Sequence, residues 1–108
     1  MSATPDVITR YLRAADEQDF EALAGCFTED GTAIDEGETH VGRDAIQRWR
    51  EGVAGKWTYT TTVTGTERVG DGRFNVAVHI EGDFPGGTAD LVEAFTLRDG
   101  LIEHLAIA

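Results

Sequence analysis

The sequence predicts an α+β domain in which three N-terminal helices pack on one face of a mainly antiparallel sheet. Two observations carry this. Apolar residues recur at helical spacing up to Gly55, and the period then drops to two. Beyond that point the turns "GDG" (70–72), "PGG" (85–87) and "RDG" (98–100) separate alternating segments, so each strand folds back on its predecessor. A length of 108 residues predicts one domain, 1–108, with room for a core.

The elements follow in order. In "TPDVITRYLRAADEQ" Thr4 is the expected N-cap and Pro5 the first helical residue, where a missing N–H costs nothing. Val7, Ile8, Tyr11, Leu12, Ala14 and Ala15 form the apolar stripe. Asp19 is placed to cap a short helix, "FEALAGCF", that buries Phe20, Leu23 and Phe27. A strand near Thr32 to Asp35 and a polar loop holding His40 come next. A third helix, from about Arg43 to Val53, buries Ala45, Ile46, Trp49 and Val53 and stops at Gly55. After it Trp57, Tyr59, Thr61 and Val63 face one way and Thr58, Thr60, Thr62 and Thr64 the other. The next strand turns Phe74, Val76, Val78 and Ile80 inward. Its successor turns in Ala89, Leu91, Glu93, Phe95 and Leu97, and "LIEHLAIA" closes the last hairpin.

Composition narrows the partners. With 41% hydrophobic and 27% charged residues the chain has the make-up of a soluble globular protein. Its net charge of -11 and nine scattered Lys and Arg residues argue against nucleic acid and anionic membranes. Cys26 is the one cysteine and can form no internal disulfide, and no apolar run reaches the length of a membrane span. The N-terminus lacks the apolar run of a signal peptide, so the expected location is cytoplasmic.

Two carboxylates break the apolar pattern. Asp35 ends a strand on the face it shares with Ala33. Glu93 sits among Leu91, Phe95 and Leu97 on an inward face, where an ionised carboxylate is costly unless paired, hydrogen-bonded or neutral.

Taken in order, "RYLRAADEQDFEALAGCFTEDGTAID", "VGRDAIQRW" and "VEAFTLRDGLIEH" resemble the NTF2-like superfamily, which includes SnoaL-like polyketide cyclases and ketosteroid isomerases. The resemblance spans nearly the whole chain. It implies a cone, with a curved sheet wrapped around the long helix and an apolar pocket open at one end. In ketosteroid isomerase a Tyr on the first helix and a protonated Asp on a late strand hold an oxyanion, while an Asp after the second helix moves a proton. By motif Tyr11 of "RYL" matches that Tyr, Asp35 of "TAID" the base and Glu93 of "LVEAF" the late acid. Glu93 is one methylene longer than its counterpart, and Phe27 and Arg50 stand where two supporting tyrosines would be.

The resemblance therefore implies a cofactor-independent enzyme of isomerase or cyclase type, transferring protons on a small apolar carbonyl compound. Asp35 would be the base, with Tyr11 and a neutral Glu93 as donors to the oxyanion. Trp49, Trp57, Phe27 and Phe95 are the candidate pocket walls. The alternative is a non-catalytic ligand-binding or dimerisation module. A homodimer is expected through the outer sheet face, on Val92, Ala94, Thr96, Ile102, Ala106 and the threonine ladder. His79 and His104 fall on faces opposite the core, although cyclases of this kind use a His with an acid on late strands. "DEGETH" has no metal-ligand spacing, so no metal is expected. Cys26 reads as a buried structural thiol.

Overall fold

The computed structural model describes residues 4–108. The elements are α1 (Asp6–Glu17), α2 (Phe20–Gly25), β1 (Phe27–Asp35), β2 (Glu38–Val41), α3 (Arg43–Lys56), β3 (Tyr59–Gly70), β4 (Arg73–Gly82), β5 (Thr88–Arg98) and β6 (Leu101–Ile107). The helix start is shifted by one residue from the expected place. Pro5 is extended (ψ 145) and occupies the cap position, and the Thr4 hydroxyl pairs with Thr66 on β3 at 2.8 Å instead of capping. Gln18 ends α1 in the left-handed region, and Asp19 then caps α2 by accepting from the Ala22 amide at 3.2 Å.

Phe27 corrects the sequence reading. Its spacing suits the second helix, but the Ile102 amide bonds the Cys26 carbonyl at 2.8 Å and draws the chain into pairing with β6. Phe27 therefore opens β1 and is fully buried there. The third helix runs three residues past Val53, to Lys56, and Trp57 leaves it in extended conformation. The segment expected to be a polar loop contains a strand: Glu36 and Gly37 turn with positive φ and β2 folds back on β1, pairing Asp35 with Glu38.

Six strands lie in the order β2-β1-β6-β5-β4-β3, antiparallel except for β1 beside β6. The α+β class is as predicted. Strands β4 and β5 pair without a break from Arg73–Thr96 to Glu81–Thr88, which sets Val76 opposite Glu93 and Phe74 opposite Phe95. The inward sets predicted for these strands are the observed ones. Strand β6 differs. A register shift at Thr96/Leu97 leaves Glu103 out of the ladder, so Ile102 and Leu105 both point inward. Ile102 thus belongs to the core and not to the outer face expected for it.

The core gathers Ile8, Leu23, Phe27, Ile46, Val76, Phe95 and Leu105 around Tyr11. Gly82 brings the start of β3 hard against β4: a Cβ there would collide with the Thr58 carbonyl oxygen. That close approach sets Tyr59, its partner in the ladder, at the rim of the interior. Among the described residues no helix is long and apolar enough to cross a membrane.

Candidate functional site

Beyond the core the interior opens into a cavity of about 600 Å³. Helix α1 supplies Tyr11, Leu12 and Ala15, α3 supplies Arg50 and Val53, and Trp57 and Tyr59 come from the approach to β3 and its start. Strand β5 contributes Ala89, Leu91 and Glu93, and the ends of β1 and β6 bring Asp35 and Ile107. Tyr11, Asp35 and Glu93, far apart in the chain, thus line one space. Of the four expected walls only Trp57 lines it. Phe27 and Phe95 lie one layer deeper, each edge-on to Tyr11 at 5.8 and 5.7 Å between ring centroids. Trp49 stands behind Asp35.

Glu93 is 7% exposed, and its Oε1 has no hydrogen-bond partner among the described residues. Burial pushes its carboxyl up to about 7; nearby Arg50 counteracts this and nearby Asp35 adds to it. Near neutral pH it is therefore partly protonated and able to donate. Burial likewise raises Tyr11 far above the ordinary phenol range, so its hydroxyl keeps its proton. One strand carries both Glu93 and Phe95 inward because two residues separate like faces.

Arg50 is a cavity residue that the apolar pattern does not single out. It sits on the same stripe of α3 as Ile46, Trp49 and Val53 and is 9% exposed. That stripe is the available signal: an arginine four residues after Ile46 must point where Ile46 points. Its Nη2 donates to the Tyr59 hydroxyl at 2.8 Å, its guanidinium carbon lies 5.1 Å from the Trp49 ring centroid, and its Nε has no partner among the described residues. Burial opposes its charge, but the hydrogen bond to Tyr59 and the nearby Glu93 carboxyl favour the cation, which a guanidinium retains.

Asp35 is half-buried and fixed from behind. The Trp49 indole Nε1 donates to its Oδ2 at 3.2 Å, and the far face of the wall is closed by His40, stacked on Trp49 at 5.4 Å. The remaining histidines lie outside. His79 pairs with Asp90 at 2.8 Å and Glu81 at 3.4 Å on the outer face, and His104 hydrogen-bonds Thr32. The Cys26 thiol donates to the Ala22 carbonyl and is raised by burial. Among the described residues no group of three His, Cys, Asp or Glu side chains is placed to hold a metal. A shallow depression beside Arg43 and Arg98 is a surface groove whose two arginines are engaged, Arg98 with Asp30 and Glu103 and Arg43 with the Phe27 carbonyl.

The family model for the SnoaL-like domain matches residues 8–105. Among solved structures, a candidate polyketide cyclase from Sinorhizobium meliloti is 31% identical, with 97% of this chain and 95% of that one aligned at a TM-score of 0.92. A Catenulispora acidiphila protein of ketosteroid isomerase-like fold, solved with trimethylamine, is 22% identical over 98% and 86% of the two chains, with a TM-score of 0.88. An epoxide hydrolase/cyclase-like enzyme of pyran ring formation in the polyether salinomycin is 23% identical over 94% and 86%, with a TM-score of 0.80. No curated protein matches the sequence significantly. The fold is the NTF2-like cone.

Proposed function

Because the chain belongs to the SnoaL-like domain family, we propose that its cavity is the active site of a cofactor-independent isomerase or cyclase acting on a small apolar carbonyl compound. The observation that carries this is the pair of carboxyl groups in one cavity under different conditions. Glu93 is buried with an oxygen unpartnered among the described residues, and its carboxyl is pushed up to about 7, while Asp35 is half-buried at the rim beside an indole donor. An acid that can hold its proton near neutrality and a second carboxyl group in the same cavity are the parts that proton transfer needs.

In this reading the Asp35 carboxylate removes a proton from the carbon next to the carbonyl. The oxygen gains the negative charge and accepts hydrogen bonds from Tyr11 and protonated Glu93. Asp35 then returns the proton to another carbon, or the enolate carbon attacks a second carbonyl of the same molecule, whose π bond opens to an alkoxide that takes the proton back from Asp35 while the first carbonyl reforms. The experiment is α-deuteration of 2-tetralone in D₂O, followed by NMR. Acceleration over buffer that Asp35→Asn abolishes supports the enzyme. Binding of the ketone with no acceleration leaves a non-catalytic binding module.

The outer sheet face is proposed as the homodimer contact, in the cytoplasm. Val92 is 42% exposed there, with Ala94, Thr96 and Ala106 beside it. Sedimentation at tens of micromolar tests this, roughly the range in which an interface of standard size persists; a monomer overturns it.

A further inference from the structure

Arg50 raises a question that proton transfer leaves unanswered. A guanidinium this deeply buried needs compensation. Arg68 and Arg98 each pair with a carboxylate within 3.1 Å, whereas Arg50, far more buried, has no carboxylate within salt-bridge distance among the described residues. Its polar partner is a phenol hydroxyl, that of Tyr59. One face lies against the Trp49 ring and Nη2 is held by Tyr59, so the group is fixed in place on the cavity wall, and its buried Nε has no partner among the described residues. Trp57, Leu12 and Val53 line the same cavity with apolar surface.

We propose that Arg50 is the specificity residue of this cavity, seating a carboxylate carried by an otherwise apolar ligand. The proposal rests on reading the cavity as a small-molecule site. A carboxylate oxygen accepts from the guanidinium that Arg50 contributes to the cavity wall, a charge-assisted bond in a place shielded from water. Tyr11, Asp35 and Glu93 line the same cavity as Arg50, so a ligand seated at Arg50 lies in the space that holds the groups assigned to the chemistry.

Ionisation should gate this seat. Glu93 is faced by Tyr11 from α1, Asp35 and Glu36 from the end of β1 and its turn, Arg50 from α3 and Tyr59 from β3. Tyr11 stays neutral, and Glu93, pushed up to about 7, changes charge near neutrality. Protonated, it leaves Arg50 to the ligand. Ionised, it competes for the cation and repels a second anion. Anion affinity therefore falls as pH rises through that range.

The test uses three probes of one size: 2-naphthoate, the neutral ketone 2-acetylnaphthalene and 2-naphthylmethylammonium, titrated against Trp fluorescence at pH 6 and pH 8. At pH 6 naphthoate should bind at least about tenfold more tightly than the ketone, the size of one good charge-assisted bond. Its advantage should shrink at pH 8. Arg50→Met, which keeps the stem packed, should abolish the preference of naphthoate over the ketone. Should that variant fail to fold, Arg50→Lys and the wild-type panel decide, because Lys keeps charge without the fixed planar guanidinium and should lose most of the preference. Equal or tighter binding of the ketone or the ammonium overturns the anion seat and leaves the small-molecule reading standing. If none of the three binds, both fall.

Discussion

The interior has two ends built from the same elements. Toward the sealed end α1 gives Ile8, α3 gives Ile46 and β5 gives Phe95, each at most 1% exposed. Toward the open end the same three elements give Leu12 and Ala15, Arg50, and Glu93. A step of two residues along β5, or four along α3, turns a packing position into a polar one. Proximity to the rim decides which residues can depart from the apolar pattern. The sealed end holds the fold, and the open end carries groups that weaken it.

That contrast is broken most directly by truncation. Phe95→Ala, with the ring removed from its contact with Tyr11, should cost about 3–5 kcal/mol in denaturant unfolding. The same experiment on Glu93→Leu should show no loss at neutral pH. If the two substitutions cost alike, the two ends do not differ in the way described.

The ionisation of Glu93 sharpens the comparison. Its folded value, about 7, lies above the ordinary 4.5. Between those values the folded state holds a proton that the unfolded state has lost, so stability present below about 4.5 declines as pH rises toward 7 and is flat beyond. A shift of this size amounts to about 3 kcal/mol. Glu93→Leu should remove that decline and exceed wild-type stability at pH 8. His79, raised by its hydrogen bond to Asp90, also contributes stability that is lost with rising pH, but it is common to both proteins and cancels in the difference. Parallel stability–pH curves for the two proteins would refute the burial argument for Glu93.

The two ends are not equally legible in the sequence. Strict alternation on β4 and β5 marks Glu93 as an intruder from the residue pattern alone, and the order of helices and hairpins carries the fold class. Tyr11, Asp35 and Glu93 come from the resemblance and converge on one cavity. Strand β2 escapes because a four-residue edge strand leaves most of its side chains in water and writes no period into the sequence. Ile102 is misplaced by simple alternation because a bulge resets the face of everything beyond it. Arg50 reads by motif as a missing tyrosine, although its helical position already points it inward. Phe27, Phe95 and Trp49 look like pocket walls because aromatic character alone does not tell a wall from the layer behind it.

A smaller effect tests how the rim is held. Trp49→Phe keeps a ring against His40 and removes the Nε1 donor to Asp35. The loss in stability should be about 1 kcal/mol, one hydrogen bond's worth. If Asp35 is the base, α-deuteration should fall further than stability does, because an unanchored carboxylate spends less time in the reactive orientation. Equal retention of rate and stability would mean that Trp49 serves packing alone.

The smallest effect belongs to His79. It is paired with Asp90 and Glu81 on the outer face of the sheet, while Glu93, opposite Val76 on β4, points through the other face. Ion pairs exposed in this way contribute little, because water and salt screen them and ordering the side chains offsets the attraction. His79→Ala should leave unfolding at neutral pH, naphthoate binding and any deuteration rate within error of wild type. A different result would be informative in one direction. Loss of turnover with unchanged stability would mean that a histidine and an acid on adjacent strands act together, as in the cyclase pattern, and the sheet would have to present His79 to the ligand. Its place outside the cavity wall argues against that.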